Sequence, residues 1–327
     1  MRWKRTVAGA ALAAAILVLL LRRVDPHQVW ASLRTVDFPW LLVVQALGCL
    51  SIFLKAERWS VAIAGRAGER PRRRLFAASM IGTAANMLLP ARLGDVLRAL
   101  VLRKHNAVPA TQALLASWSA QAFDVLAVAL LLLAGASADP GLASRRALVV
   151  LLAVVLGGGA FAAALARRPE LAVRLAGRLP GALGVKASTL ARHAADGLRF
   201  LSEPVVLLRV VLFTVAVWTV DVSSTWLALH AFHIDVGPSG AALLVAAIGL
   251  SFALPLTPGN VGTYQLIAVL VLGRLGVDRD RAFAFGIGFQ AFALLATVAL
   301  GAGFFQREGL SLSALAAEPP AETPQAP

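Results

Sequence analysis

Leu75–Leu102 reads LFAASMIGTAANMLLPARLGDVLRALVL, and Gly240–Leu275 reads GAALLVAAIGLSFALPLTPGNVGTYQLIAVLVLGRL. Each is an apolar run broken near its middle. The first breaks at Pro90-Ala-Arg92-Leu-Gly94-Asp95, the second at Thr257-Pro258-Gly259-Asn260-Val261-Gly262. Proline and glycine at that density stop a helix. Neither half alone crosses the hydrocarbon of a bilayer comfortably. Each stretch therefore predicts a re-entrant hairpin that enters and leaves on one side. Its irregular turn has to be buried in protein or line a wet cavity, because lipid satisfies no free backbone group.

Outward from these hairpins, six uninterrupted apolar segments have the length of a span: roughly 6–21, 38–57, 109–134, 146–166, 205–229 and 281–304. The first is short and relies on snorkelling arginines at its end. It follows Met-Arg-Trp-Lys-Arg as a signal peptide would, but Arg22-Arg23-Val-Asp-Pro26 follows it instead of a small-residue cleavage site. It reads as a retained helix. The expected fold is all-α, a polytopic transmembrane helical bundle of six full spans plus two re-entrant hairpins. It forms one transmembrane domain, 1–308, followed by a tail from 309 to 327 rich in Ala, Pro and Glu and expected to be disordered.

Composition agrees. Of 327 residues 59% are hydrophobic and 15% charged, whereas soluble domains sit near 45–50% and about 25%. A soluble enzyme is excluded. The net charge of +14 does not point to nucleic acid, because the basic residues flank apolar spans, where they set orientation and meet anionic headgroups. With the N-terminus cytoplasmic, 22 of the 31 lysines and arginines fall inside and eight outside. The expected setting is an inner (plasma) membrane with both termini cytoplasmic. The basic segment 167–203 predicts an amphipathic helix on the cytoplasmic leaflet. The lone cysteine, Cys49, excludes an internal disulfide and a cysteine zinc site.

The two hairpins read as an inverted repeat, with units at about 38–134 and 205–304. Both turns carry Pro-x-x-aliphatic-Gly. Gln121-Ala-Phe123 lies 31 residues beyond Pro90, and Gln290-Ala-Phe292 lies 32 beyond Pro258. The first hairpin enters from inside and the second from outside, which is the architecture of many secondary transporters.

Polar groups at membrane depth are functional candidates because burying them in lipid is costly. On the first hairpin these are Asn86, Pro90, Arg92, Gly94, Asp95 and Arg98. Arg92 and Arg98 have the geometry to bind a lipid phosphate, and a half-helix starting at Gly94 favours an anion. The alternative is an internal ion pair, for example Arg98 with Asp124. On the second hairpin Pro258, Gly259, Asn260, Gly262, Thr263 and Gln265 offer close backbone approach and uncharged hydrogen bonding to a headgroup or sugar. Asp124 and Asp221 are read as coupling-proton carriers or as partnered structural aspartates; Gln121 and Gln290 add polarity nearby. No catalytic residue, cofactor or metal site is expected. His230-x-x-His233 with Asp235 reads as an interfacial loop.

The segment Asn86–Arg98, Glu57-Arg58-Trp59 and Pro258-Gly-Asn-Val-Gly-Thr-Tyr-Gln265 together resemble the flippase-like membrane proteins related to the lysylphosphatidylglycerol synthase transmembrane region. The likeness covers about residues 5–305. It implies a non-enzymatic membrane domain that translocates lipids such as anionic phospholipids, aminoacylated phospholipids, or polyprenyl- or hopanoid-type lipids. The soluble aminoacyl-transferase domain of the full synthases is not expected here. A non-transporting scaffold for a lipid-modifying enzyme or glycosyltransferase is the other reading. This chain departs from many members in carrying Gln265 in place of an acidic residue and Gln121-Ala122 in place of Glu-Arg.

Overall fold

The structure, a computed structural model, describes residues 2–64, 72–89, 93–104, 110–138, 149, 152–153, 156–160, 167–178, 180–253 and 257–309. All regular structure among them is helical. The helices are α1 (Arg2–Leu21), α2 (Pro26–Arg34), α3 (Phe38–Ala64), α4 (Arg72–Leu88), α5 (Leu93–Lys104), α6 (Ala110–Ala138), α7 (Pro169–Gly177), α8 (Ala182–Leu198), α9 (Pro204–Ala231), α10 (Pro238–Ala253), α11 (Thr263–Arg274) and α12 (Arg279–Arg307). Short 3-10 turns occupy Arg199–Ser202 and Pro258–Asn260. The expected span 146–166 and the tail beyond Gly309 lie largely or wholly outside the described residues.

Local chemistry sets several boundaries. Asp25 caps α2 by accepting from the His27 amide, with Pro26 at the first helical position. Asp278 caps α12 by accepting from the Asp280 and Arg281 amides. The Asp280 carboxylate accepts from the Asp25 amide at 3.0 Å, which ties the two caps together. Residues 167–203 form two helices and a 3-10 turn instead of one amphipathic helix. Pro180 and Gly181, the latter at φ +61°, break it. Leu171, Leu183 and Val185 remain exposed along it.

By length and composition, α3, α9 and α12 can each cross a membrane. The helix α6 has 29 residues. The two interrupted stretches give short helices, 17 and 12 residues in α4 and α5, 16 and 12 in α10 and α11. At 1.5 Å per residue these reach about 25 and 18 Å, short of a hydrocarbon core of about 30 Å.

α3 and α9 run antiparallel as the central pair, joined where the Asp37 amide donates to the Ala231 carbonyl at 3.0 Å. Two apolar cores form along this pair. At the Phe38 end, Leu41 and Val44 of α3 and Leu229 of α9 pack with Leu244, Tyr264, Leu272 and Phe285. At the Ala64 end, Trp59 and Ile63 of α3 and Val206 and Val210 of α9 pack with Leu75, Ile81, Ala99 and Leu102. Each hairpin thus has its own core, at opposite ends of the central pair. Small residues let the neighbouring helices close in: a Cβ at Gly301 of α12 would overlap Ala84 of α4, and one at Gly249 of α10 would stand 3.0–3.1 Å from Val128 and Trp218.

Candidate functional site

At the first tip, Gly82 of α4 faces Gly94 of α5 so closely that a Cβ on Gly94 would overlap the Gly82 carbonyl and meet the Asn86 amide oxygen at 2.6 Å. This contact seats Asp95, only 3% exposed, in the first turn of α5. Its Oδ1 accepts from Asn86 Nδ2 at 3.0 Å and its Oδ2 from Gln121 Nε2 of α6 at 3.1 Å. Arg98 pairs with Asp95 at 3.3 Å and lies 5.0 Å above the Trp59 ring. The helix begins at Leu93, one residue before the expected Gly94. Its positive end carries the chain's own carboxylate. Pro90 and Arg92 lie outside the described residues.

The second tip is built from uncharged groups. Gly259 (φ +58°), Asn260 (φ +55°) and Gly262 (φ +83°) all take left-handed backbone, which glycine and asparagine tolerate best. Pro258 opens the 3-10 turn. Asn260 Nδ2 donates to Ser251 Oγ at 3.2 Å, and the hydroxyls of Thr257 and Thr263 meet at 3.1 Å. Gln265, 2% exposed, is fully engaged. Its Oε1 accepts from the Gly262 amide at 2.7 Å, and its Nε2 donates to Gln290 Oε1 at 2.6 Å and to the Gly286 carbonyl at 3.3 Å. Gln290 Nε2 donates to the Gly259 carbonyl at 2.8 Å.

The tips correspond. Asp95 and Gln265 are each the third residue of the second half-helix. Each is held by the glutamine of the following long helix, Gln121 or Gln290. The tips also touch: a Cβ on Gly259 would stand 2.7 Å from the Met87 carbonyl at the end of α4, and one on Gly262 would stand 3.0 Å from the Ala13 carbonyl of α1.

Between the two apolar cores runs a charged layer. Arg58 of α3 grips Asp124 of α6 with both terminal nitrogens, Nη1 to Oδ1 at 2.8 Å and Nη2 to Oδ2 at 2.7 Å. Arg58 Nη1 also donates to Thr214 Oγ1 at 3.0 Å, and Trp218 Nε1 donates to Asp124 Oδ1 at 3.2 Å. One turn along α9, Asp221 pairs with Lys55 of α3 at 3.0 Å. Asp124 therefore pairs with Arg58, whereas Arg98 is engaged by Asp95 on its own helix. The reason is placement: Arg98 sits over Trp59, and the adjacent Arg58 reaches α6 directly.

Sequence reasoning gave no site role to Lys55, Thr214 or Trp218, and met Arg58 only in the Glu57-Arg58-Trp59 likeness. The expected span ends at about 57, whereas α3 continues to Ala64 and carries Lys55 and Arg58 against α9 and α6. The signal was available in the spacing of a lysine and an arginine three residues apart at the end of an apolar run. At the Phe38 end, His230 meets Trp40 edge-on at 5.5 Å and His233 Nε2 lies 2.8 Å from the Thr35 carbonyl.

Short-helix hairpins, apolar long helices and a charged layer between two cores define a multi-pass integral membrane protein. The chain belongs to the lysylphosphatidylglycerol synthase transmembrane-region family, whose match covers residues 6–301. It is also similar to the glycosyltransferase AglD of Haloferax volcanii, at 26% identity over 94% of this chain and 55% of that protein. The chain thus spans about half the length of that relative. No solved structure matches it.

Proposed function

We propose that this chain translocates a phospholipid or lipid-linked molecule between the leaflets of an inner membrane, with both termini cytoplasmic. The observation that carries the reading is the contact of two short-helix hairpins, rooted in cores at opposite ends of α3 and α9, at Met87 and Gly259. On this reading they are re-entrant arms of an inverted repeat. Their matching lengths and their Gln121 and Gln290 latches support it. Exchange of the two arms' conformations then opens the site alternately to each side. The expected basic bias also supports this orientation, even with Lys55, Arg58 and Arg98 held inside the bundle. Asn260 Nδ2, the Thr263 hydroxyl and both polar atoms of Gln265 are engaged within the protein, so a headgroup meets these atoms only after the tips part. The chain has no catalytic task of its own in this scheme.

The similarity to a glycosyltransferase favours a sugar-bearing lipid among the proposed cargoes, and also favours a second reading, a scaffold that docks a glycosyltransferase. Purified protein in liposomes discriminates. The translocator moves labelled phospholipid or lipid-linked sugar across the bilayer and loses most of that movement on replacing Arg92 or Asn260. Folded wild-type protein that moves neither class sinks the first reading.

A further inference from the structure

The two ion pairs of the charged layer differ in a way that assigns them different work. Arg58–Asp124 is held at several points: Arg58's side chain is 4% and Asp124's 26% exposed, and Asp124 accepts three hydrogen bonds, two of them from the guanidinium and one from Trp218. Lys55–Asp221 is open. It rests on one contact of 3.0 Å, and the side chains are 40% and 22% exposed. Two further ammonium hydrogens of Lys55 and one carboxylate oxygen of Asp221 have no partner among the described residues.

Depth makes the openness informative. Lys55 lies 17 residues from Phe38, about 25 Å along α3, and Asp221 lies 10 residues from Ala231, about 15 Å along α9. Those helix ends are side by side. Helical side chains lean toward their own N-terminus, so in this antiparallel pair the two reach toward each other. Lys55 therefore reaches into the bundle, when snorkelling to the nearer Ala64 end would spare it the low dielectric. A partly exposed ion pair at that depth borders water or a polar ligand, because hydrocarbon does not solvate it.

We infer that Lys55 and Asp221 form a joint site in which a proton on Asp221 and a lipid phosphate on Lys55 bind together. The inference rests on the translocator reading for its purpose, but not for its test. Neutrality dictates the linkage. With Asp221 ionised, the lysine is already paired, and an added phosphate leaves a net negative site. When a hydronium ion from the open side gives its proton to Asp221, the carboxylic acid no longer holds Lys55, and the ammonium takes the phosphate instead. One O–H bond forms on the carboxyl, one breaks on hydronium, water leaves, and no electrons are transferred. Release on the other side reverses the step and restores the ion pair. The other charged groups facing Asp221 do not substitute for it. From α3, Arg58 is committed to Asp124 and Glu57 lies round the helix. From α6 the group is Asp124 itself. The α10 helix carries no titratable residue, and on α9 the nearest are Arg209 and His230. The α3 thiol, Cys49, accepts from Gln45.

Binding of short-chain phosphatidylglycerol to the detergent-solubilised protein tests this between about pH 4 and 8, where the phosphodiester keeps its charge. Affinity in the wild type is expected to rise as pH falls, by up to about tenfold per unit while the proton is taken up. Asp221→Asn, isosteric and permanently neutral, should bind with no pH slope. Lys55→Gln should bind weakly at every pH. A flat or absent wild-type response, or the wild-type slope surviving in Asp221→Asn, overturns the inference, and the wild-type arm suffices if a variant misfolds. Failure to move lipid in liposomes with the binding slope intact sinks the translocator reading alone.

Discussion

Asp124 shows why a single carboxylate at membrane depth need not be mobile. Its oxygens accept two guanidinium nitrogens and an indole, and Thr214 fills part of the remaining capacity of Arg58. Removing one partner strands the other, at a cost of about 3–5 kcal/mol, whereas replacing both with apolar residues is often close to neutral. Arg58→Leu should therefore lower the thermal midpoint in detergent sharply, and Arg58→Leu with Asp124→Leu should recover most of that loss. If the double variant is no better than the single, the pair is not an isolated unit. Gln265 makes a second case. A glutamate there keeps the Gly262 amide as donor but sets a carboxylate against two acceptors, the Gln290 and Gly286 oxygens. Gln265→Glu is expected to cost about 1–3 kcal/mol at neutral pH. The deficit should shrink as pH falls and the carboxyl regains a proton to donate. Melting curves across pH check both sign and slope.

At the scale of elements, the first hairpin depends on backbone contact more than on side-chain interdigitation. Gly82 and Gly94 bring α4 and α5 together and so present Asp95 to Asn86 and Gln121. Gly94→Ala places a methyl into the Gly82 carbonyl and should cost about 1–3 kcal/mol by overpacking, moving Asp95 away from Gln121. A Gln121→Ala change made in the Gly94→Ala background should then cost less than in the wild type, since the bond it removes is already lost. Additive losses would count against this account. Much of the hairpin was legible beforehand, because helix breaks are local. Proline lacks a donor and glycine tolerates left-handed backbone, whatever the rest of the chain does. The segment 167–203 differs from its expectation for the same kind of reason. Its basic residues read as one helix, although the Pro180-Gly181 break that divides it into α7 and α8 is as local as those of the hairpins.

For the whole molecule, the decisive geometry is that arms rooted in different cores meet. Met87→Cys with Gly259→Cys, in a Cys49→Ser background, should cross-link with a short bifunctional thiol reagent, read as a shift in gel mobility. Absence of cross-linking in folded protein would remove the basis for alternating access through these tips. The charged layer lies between the two cores, and disturbance of the first hairpin reaches Arg58 through its neighbour Trp59, which carries Arg98 on its ring.

The amino-acid sequence alone determined membrane residence, helical class, the two helix breaks and most of the residues that gather at the tips. Each follows from composition or from chemistry within a few neighbouring residues. The tertiary structure alone decided the pairings: Asp124 with Arg58, Asp221 with Lys55, and Gly259 against Met87. Those partners lie 66 residues apart in the first case and 166 in the second. The long helices are apolar around most of their circumference, so periodicity does not say which way each faces. Their rotation and relative depth are settled only when the small residues of neighbouring helices pack and the buried charges find each other.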